Sequence, residues 1–209
     1  MRGRFLVLEG IDGCGKTTQL EYLAHWLPQS GLLKDGAQVH LTKEPGGTDL
    51  GLALRKLLLD PPGDTSPDAI AELLLYSADR AQHVSRLIVP TLKKGDWIIS
   101  DRFTGSTFAY QGYGRGLNFQ TIKTLEEIAT NGLTPDLTFL LDVSAQVSIL
   151  RRSARVNDRI EAEGMDFLSR ARSGFLEIAR KRDWVVISAE QPKNKISDVI
   201  ESQIRLLTD

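Results

Sequence analysis

The stretch GIDGCGKTT, at residues 10–18, decides the fold of this chain. It satisfies the pattern GxxxxGK[ST] at every required position, between the apolar run FLVL at residues 5–8 and a segment with helical spacing. Glycines in such a loop let backbone N–H groups face phosphate oxygens, and the following helix adds its positive end. We therefore expect a cradle for a nucleoside triphosphate. Its cofactor-binding residues are Gly10, Ile11, Asp12, Gly13, Cys14, Gly15, Lys16 and Thr17.

The last residues of this loop carry the polar chemistry. Lys16 should reach the β and γ phosphates and act catalytically, while the Thr17 hydroxyl is offered to Mg²⁺. Cys14 is expected to serve only as a small residue of the loop. A glycine-rich turn that binds nothing is the alternative, but the strand before the motif and the helix after it argue against that alternative.

Composition excludes several classes of partner. The 209 residues are 41% hydrophobic and 25% charged, and 26 basic side chains against 27 acidic ones leave a net charge of −1. Such a balance provides no bulk field for nucleic acid or anionic lipid, so we expect neither partner. No apolar run approaches the roughly 20 residues of a membrane helix, and the single cysteine cannot form an internal disulfide. We expect a cytoplasmic protein.

Five short apolar runs predict the strands of one sheet, at residues 4–8, 37–42, 96–100, 136–141 and 184–187. Segments with helical spacing lie between them, at residues 16–27, 50–59, 67–94, 119–131, 144–152, 165–181 and 196–207. Alternating strands and helices indicate parallel pairing through right-handed crossovers. The expectation is an α/β P-loop NTPase fold, with a five-stranded parallel sheet and helices on both faces. We expect a single domain over residues 1–209.

A P-loop alone does not choose among nucleotide-binding proteins. Guanine-specific switch proteins usually need the element NKxD, and Asn194-Lys195-Ile196-Ser197 has serine where the aspartate should stand. Motor proteins would need a longer chain and a strand that ends in a paired Asp-Glu. The remaining motifs must therefore identify an acceptor.

Several further motifs point to one family. KEPGGT at residues 43–48 follows the second predicted strand, DRF at 101–103 follows the third, and DRIE at 158–161 follows an arginine-rich segment. With LLYSADR at 74–80 and AYQG at 109–112, this ordered series closely resembles thymidylate kinases of the bacterial type. The resemblance implies transfer of the γ-phosphoryl group from MgATP to dTMP, which gives ADP and dTDP for dTTP synthesis. It also implies a homodimer.

Asp101 and Arg102 lie at the carboxyl end of a buried strand, where α/β sheets present their chemistry. By resemblance, both are catalytic residues: Asp101 organises Mg²⁺, and Arg102 bridges the acceptor phosphate and the transferred phosphoryl group. A pair that merely caps a strand and a helix is the structural alternative. Phe103 is assigned packing only.

The resemblance also implies a set of residues that bind dTMP. Tyr76 stacks on thymine and Arg80 bonds a base carbonyl; the two are four residues apart on a predicted helix and share a face. Arg55 clamps the acceptor phosphate. A core aromatic, an exposed arginine and a solvated helix charge are the alternatives for these three positions.

Further substrate contacts are expected around the sugar and the base edge. By resemblance, Ser106 or Thr107 reads the base edge, Tyr110 lies against the sugar and favours deoxyribose, and Asp12 accepts from the 3′-hydroxyl. The position of Asp12 inside the cradle gives the P-loop a role in both substrate sites.

The segment at residues 151–163 corresponds by resemblance to the lid. Bacterial-type relatives place a catalytic arginine there when the P-loop lacks one, and Gly13-Cys14 offers none. We expect Arg155 to have this role, with Arg151 and then Arg159 as alternatives. Asp158 and Glu161 either contact metal-bound water or the sugar, or form simple salt bridges.

Two competing functions remain open at this point. A kinase for another nucleoside or nucleoside monophosphate would share the donor site, and only the base-reading residues favour dTMP. A regulatory module that hydrolyses nucleotide slowly is less consistent with the acceptor motifs.

Overall fold

The computed structural model describes residues 2–63, 65–152 and 158–207. Its centre is β1 (Phe5–Glu9), in which every residue is buried. A continuous apolar strand of this kind is typical of a parallel sheet with both faces covered, because neither set of alternating side chains meets water. The predicted first strand is therefore confirmed, shifted by one residue.

All strands of the sheet are parallel. The sheet contains β1, β2 (Val39–Lys43), β3 (Trp97–Asp101), β4 (Leu137–Asp142) and β5 (Val185–Ser188), in the order β2-β3-β1-β4-β5. The edge strands β2 and β5 are partly exposed, whereas β3 and β4 on either side of β1 are mostly buried. The predicted five-stranded parallel sheet is confirmed.

Most helices follow the predicted segments closely, but the short helix at residues 104–107 was not among the predicted ones. They are α1 (Lys16–Trp26), α2 (Asp49–Leu59), α3 (Ala69–His83), α4 (Val89–Lys94), α5 (Thr104–Thr107), α6 (Phe119–Thr130), α7 (Ala145–Arg152), α8 (Met165–Lys181) and α9 (Lys193–Leu206). Side-chain caps fix several starts: Thr48 accepts from the Gly51 N–H before α2, and Asp68 accepts from two N–H groups before α3.

The predicted helix over residues 67–94 is interrupted by a π-helical turn. Between α3 and α4, Val84–Ile88 form a π-helical segment, and Pro90 lies near the start of α4. Proline has no N–H and crowds the preceding turn, so a regular α-helix cannot pass through it without adjustment. A second π-helical segment, Phe108–Gly114, follows α5.

The core packs against both faces of the sheet. One cluster of buried residues joins β1, β3, β4 and β5 to α1, α8 and α9, and a second joins the opposite face to the α3–α4 region. Across the described ranges, no helix combines the length and the apolar character needed to cross a membrane.

The strand order brings the predicted motifs together at the carboxyl ends of the central strands. β1 and β3 are neighbours, and Leu8 pairs with Asp101 in the register. The loop that follows β1 and the loop that follows β3 therefore begin side by side. The carboxyl ends of parallel strands are where open α/β sheets bind ligands.

Candidate active site

The P-loop has the backbone geometry that its glycines permit. Gly15 is the N-cap of α1 with φ of 98°, in the left-handed region that favours glycine. A Cβ at Gly10 would lie 2.5 Å from the backbone oxygen of Leu141, so β4 approaches too closely for any larger residue. Gly15 is therefore needed for its backbone conformation, and Gly10 is needed because a larger residue would collide with β4.

Lys16 is folded over this loop. Its Nζ donates to the carbonyl oxygens of Gly10 at 3.0 Å and Ile11 at 3.4 Å, and lies 3.9 Å from Oδ1 of Asp101. The side chain is only 6% exposed, so its charge is concentrated at the cradle. A phosphate in the cradle would give this ammonium a second anionic partner beside the Asp101 carboxylate.

Cys14 is a buried residue of the loop. Burial raises the pKa of its thiol, so that the thiolate needed for redox or nucleophilic chemistry is disfavoured. This agrees with the interpretation of Cys14 as a small packing residue.

Arg102 is held in an unusual backbone conformation beside the P-loop. Its φ is 71°, a region that residues other than glycine rarely occupy, and such strain concentrates at functional sites. Nη1 donates to the Gly10 carbonyl and to Oγ of Ser106, both at 2.9 Å, and Nη2 donates to Oδ1 of Asp12 at 2.7 Å. The guanidinium also lies 5.1 Å from the centre of the Tyr110 ring.

Asp12 is ionised in this arrangement. Burial opposes its charge, but the charges of Arg102 and Lys16 outweigh burial and hold the pKa of Asp12 well below its usual range. Tyr110 donates its hydroxyl to Oδ2 of Asp12 at 3.1 Å, and burial raises the pKa of that hydroxyl. A carboxylate fixed in this way presents only acceptor atoms to a ligand hydroxyl.

The chemistry of Asp101 fits a magnesium ion, and Thr17, the second expected ligand, lies in the first turn of α1. Oδ1 of Asp101 is buried and has no hydrogen-bond partner within the described ranges, which leaves an acceptor available for a cation. Mg²⁺ is usually bound by one or two protein oxygens plus substrate phosphates. Within the described residues, no three His, Cys, Asp or Glu side chains form a cluster that could hold a metal ion.

A small cavity opens beside Asp12 and Arg102. Every residue predicted from the sequence to bind the acceptor lines this cavity. They are Asp12, Arg55, Tyr76, Arg80, Arg102, Ser106, Thr107 and Tyr110. We call it the acceptor cavity. Asp12 and Tyr110, which are 98 positions apart in the sequence, meet here because the P-loop and the segment after α5 converge above the sheet.

On one side of the acceptor cavity, Tyr76 and Arg80 share a face of α3, as their spacing predicts. Nε of Arg80 donates to Oε2 of Glu44 at 2.8 Å, and Nη2 donates to the Phe103 carbonyl at 3.1 Å. The guanidinium is therefore fixed before any ligand binds. Phe103 is buried against Phe5, with ring centres 5.0 Å apart.

Glu44 links this arginine to a buried histidine. His83 Nδ1 lies 2.8 Å from Oε1 of Glu44, and His83 Nε2 lies 2.7 Å from the Thr42 hydroxyl. Because a carboxylate only accepts, Nδ1 carries the proton that joins the two side chains. The carboxylate thus uses both oxygens inside the protein.

Asp79 lies beneath the loop that follows β2 and is 1% exposed. It accepts from the Gly46 N–H at 3.1 Å, while its Oδ2 is buried without a hydrogen-bond partner in the described structure. Burial and the neighbouring charge of Glu44 raise the pKa of Asp79 to about 6. The loop after β2 thus rests on an acid that titrates near neutrality.

Arg55 reaches the acceptor cavity from α2. Its Nη1 donates to the Pro45 carbonyl at 2.9 Å, and its side chain packs against Gly46. The contact joins the KEPGGT loop to the helix that follows it.

Ser106 connects the acceptor cavity to the interior. Its hydroxyl donates to Oε2 of Glu9 at 2.7 Å and accepts from Arg102. Thr107 is buried beside it. Ser106 is thus occupied by internal contacts, and in this structure its hydroxyl serves Arg102.

The lid arginines have different surroundings. Arg155, the expected catalytic residue, lies outside the described residues. Arg151 donates to the Gly13 carbonyl at 3.3 Å and to the Ala189 carbonyl at 2.9 Å, which places it at the P-loop. Arg159 donates to the Leu58 carbonyl at 2.8 Å and also pairs with Glu72, away from the P-loop.

The two lid carboxylates make local contacts. Asp158 accepts from the N–H groups of Ile160 at 3.0 Å and Glu161 at 2.9 Å, which is a capping turn. Glu161 lies 3.7 Å from Arg152. Asp158 also lines the acceptor cavity, so its position is compatible with a contact to the substrate as well as with this capping turn.

Sequence reasoning assigned no role to two carboxylates of the site, Glu9 and Glu44. Each is an acid at or just beyond the end of an apolar strand, and each is buried. An acid in that position needs internal partners, so the signal was present, but the partners of Glu44 come from α3 and those of Glu9 from α5 and the residue before it.

The family model described as thymidylate kinase matches residues 8–200. A thymidylate kinase of Prochlorococcus marinus (strain MIT 9313) is 63% identical, over 98% of this chain and 95% of the relative. A thymidylate kinase of Synechococcus sp. (strain CC9311) is 58% identical, over 97% and 95%. The crystal structure of thymidylate kinase from Ehrlichia chaffeensis superposes with a TM-score of 0.78, at 33% identity, over 98% of this chain and 99% of that one.

Proposed function

Because this chain belongs to the thymidylate kinase family, it is an ATP-dependent nucleoside monophosphate kinase, and we propose that Lys16, Arg102 and Asp101 carry the transfer to dTMP. The products are ADP and dTDP. The observation that carries the site assignment is the acceptor cavity, in which all the predicted acceptor residues meet beside the P-loop.

The reaction needs positioning and charge neutralisation more than covalent chemistry. The acceptor phosphate of dTMP is already an anionic nucleophile, so no general base is required. We assign Lys16 to the β and γ phosphates of ATP. Arg102 bridges the donor and acceptor phosphates, where its planar guanidinium can bond two oxygens at once.

Mg²⁺ is the proposed metal, held by Thr17 and Asp101 together with phosphate oxygens. When bound, it neutralises charge on the β and γ phosphates. Oδ1 of Asp101, which accepts no hydrogen bond from any residue that the structure describes, supports this assignment. Lys16 Nζ lies 3.9 Å from this oxygen, which supports the assignment of one acidic and one basic group to the same phosphates.

The acceptor residues divide into a base side and a phosphate side. On the base side, Tyr76 stacks on thymine and Arg80 donates to a base carbonyl, with Ser106 or Thr107 at the base edge. On the phosphate side, Arg55 clamps the phosphate. Tyr110 and Asp12 hold the sugar, with Tyr110 crowding a 2′-hydroxyl and Asp12 accepting from the 3′-hydroxyl.

For the lid we propose Arg155 as the additional catalytic cation, with Arg151 as the first alternative. The contact of Arg151 with the Gly13 carbonyl supports the alternative, because that carbonyl belongs to the phosphate cradle. We place the lid at residues 151–163 and treat residues 1–209 as one kinase domain.

We also propose a homodimer. Five apolar side chains remain about half exposed on two helices that pack together, and a contiguous apolar surface of this kind is what a partner copy would cover. They are Leu50, Leu52 and Leu57 on α2, and Ile70 and Leu74 on α3. Sedimentation equilibrium should give twice the chain mass of 23.2 kDa, and a monomer at micromolar concentration would contradict the dimer.

A cytoplasmic location is proposed because both substrates are metabolites of that compartment and the single buried thiol needs no oxidising environment. We propose no nucleic-acid or membrane partner, since the net charge of −1 offers neither a general attraction.

The test of the function is ADP release from ATP and Mg²⁺ with dTMP, dUMP, TMP or no acceptor. We expect rapid release with dTMP, slower release with the ribose analogue TMP because of Tyr110, and little release without an acceptor. Equal release with and without dTMP would contradict a kinase. A clear preference for another acceptor would move the assignment to a kinase for that nucleotide.

A further inference from the structure

Glu9 is a fully buried acid at the carboxyl end of the central strand. It is 0% exposed and lies directly before the P-loop. Isolated charges in such positions are costly, so a buried carboxylate needs strong partners. All the hydrogen-bond partners of Glu9 that the structure gives belong to the segment after β3, which carries Arg102.

Three hydrogen bonds join Glu9 to this segment. Oε1 accepts from the backbone N–H groups of Phe103 at 2.9 Å and Ser106 at 3.2 Å, and Oε2 accepts from the Ser106 hydroxyl at 2.7 Å. The carboxylate therefore binds the residue directly after Arg102 and the first turn of α5. Burial raises the pKa of Glu9, and the Ser106 hydroxyl and Arg102 act in the opposite direction.

Arg102, the residue directly before these contacts, has a strained backbone. Arg102 has φ of 71°, and a left-handed arginine persists only where surrounding contacts fix it. Its backbone N–H donates to the Leu8 carbonyl at 2.9 Å, and the next N–H donates to Glu9. β1 thus holds Arg102 from two successive positions, Leu8 and Glu9.

The side chain of Arg102 is held through the same carboxylate. Ser106 donates to Oε2 of Glu9 and, with its remaining electron pairs, accepts from Nη1 of Arg102 at 2.9 Å. The acceptor role of this hydroxyl is fixed because Glu9 takes its proton in a hydrogen bond. Glu9 therefore sets both the backbone and the direction of the guanidinium.

We propose that Glu9 is a positioning residue for phosphoryl transfer, which holds the strained Arg102 turn and orients Ser106 so that the guanidinium points at the phosphates. The proposal rests on the proposed role of Arg102. Glu9 itself touches no substrate. It acts on the rate through Arg102, and it leaves the binding of ATP to the glycines and Lys16 of the cradle.

Glu9→Gln is the sharpest variant, because glutamine keeps the size of the side chain and one acceptor oxygen. That oxygen can still accept from the Phe103 and Ser106 N–H groups. The amide NH₂ now faces the Ser106 hydroxyl and competes with Arg102 for its electron pairs. We expect kcat with saturating dTMP to fall about 10- to 100-fold, the factor that corresponds to loss of a hydrogen bond involving a charged group. The KM for ATP should change less than about threefold.

The matched control is Asp136→Asn. Asp136 is a nearly buried acid that accepts from the Phe5 N–H at 2.8 Å, so it holds β1 at its opposite end. Both variants remove a carboxylate that fixes β1, but only Glu9 contacts the Arg102 segment. Asp136→Asn should lower thermal stability while kcat stays within about twofold of the unmodified enzyme.

A double-mutant cycle separates positioning from a general structural effect. In an Arg102→Lys background the guanidinium that Glu9 positions is gone, so Glu9→Gln should lower kcat by less than about threefold more. A full additional loss of tenfold or more would overturn the proposal, because the two residues would then act independently. An unchanged kcat for Glu9→Gln alone would also overturn it.

The remaining outcomes are also decisive. If the unmodified enzyme gives no dTMP-dependent ADP release, the proposed function fails, whatever Glu9 does. If Glu9→Gln does not fold, Ser106→Ala tests the same link from the other side. It should lower kcat about three- to tenfold, a loss typical of one hydrogen bond, in a variant that is less stable but still folds. An unchanged kcat would contradict the positioning role.

Discussion

Each side of the acceptor cavity contains an ion pair between an arginine and a carboxylate, and the two pairs differ in their exposure. On the base side, Arg80 and Glu44 lie 2.8 Å apart, and each side chain is 3% exposed. On the phosphate side, Arg102 and Asp12 lie 2.7 Å apart, with side chains 13% and 26% exposed. The contact distances are nearly equal, so distance does not distinguish the pairs. The two pairs differ instead in their access to water and to ligand.

The difference assigns the two arginines different tasks. His83 binds the second oxygen of Glu44, so the Glu44 carboxylate is held in place beside Arg80. Arg102 is bound instead to Asp12, the Gly10 carbonyl and Tyr110, groups that lie where the substrates are proposed to bind. We infer that Arg80 belongs to a preformed surface, whereas Arg102 exchanges its partners when the phosphates arrive.

The largest expected effect is on the exchangeable side. Arg102→Ala should lower kcat about 1,000-fold, because a cation that stabilises charge on a transferred phosphoryl group contributes a factor of this size. Arg102→Lys should lose less, since it keeps the charge but not the planar fork. Steady-state ADP release at saturating dTMP measures both. A loss below tenfold for the alanine variant would remove Arg102 from the reaction.

The next effect concerns stability on the preformed side. Glu44→Gln leaves the buried Arg80 without its counter-charge and should lower the free energy of unfolding by about 3 kcal/mol. Urea unfolding measures the change. The control is Glu127→Gln, which breaks the exposed pair between Lys123 and Glu127 and should cost less than about 0.5 kcal/mol. Equal costs for the two variants would show that burial does not distinguish the pairs.

Asp79 gives the preformed side a pH dependence of defined sign. Its pKa rises from an ordinary 3.8 to about 6 on folding, so between these values the folded protein retains a proton that the unfolded chain has lost. Stability from this group is therefore present below pH 4 and lost as the pH rises through about 6.

Asp79→Asn removes this penalty, because an amide keeps the acceptor for the Gly46 N–H and carries no charge beside Glu44. At pH 7 the variant should be more stable than the original by about 2 kcal/mol, and at pH 4 the difference should nearly vanish. Urea unfolding at the two pH values tests this. A difference independent of pH would assign the effect to something other than titration of Asp79.

Much of this molecule could be predicted from the sequence because the signals were local. Buried parallel strands are continuous apolar runs, and the structure confirms all five within about two residues. The P-loop and the Asp-Arg pair follow strands directly, so the sheet alone brings them together. The spacing of Tyr76 and Arg80 was enough to place them on one face.

The remaining features depend on contacts between distant segments. Glu44 meets Arg80 across 36 positions, and Glu9 meets Ser106 across 97, so neither partner could be read from spacing. The left-handed conformation of Arg102 is equally invisible, because arginine does not favour it. The π-helical turn before Pro90 is a compromise between a helical pattern and a missing N–H.

The smallest expected effect is that of Tyr76→Phe. The resemblance gives the ring a stacking role, and phenylalanine keeps the ring while it removes a hydroxyl whose pKa burial has raised. The KM for dTMP should change less than about threefold, in contrast to Tyr76→Ala, which loses stacking worth about tenfold or more. A large effect of the phenylalanine variant would assign the hydroxyl a direct contact with the base.

The most direct test of the difference between the two arginines is a crystal structure with dTMP and a non-hydrolysable ATP analogue. We expect Nη2 of Arg102 to leave Asp12 and bond phosphate oxygens, while Nε of Arg80 stays on Glu44 at a distance unchanged from 2.8 Å within coordinate error. The contradicting result is the reverse: Arg102 still bound to Asp12 with the phosphates in place, or Arg80 released from Glu44 to meet the base.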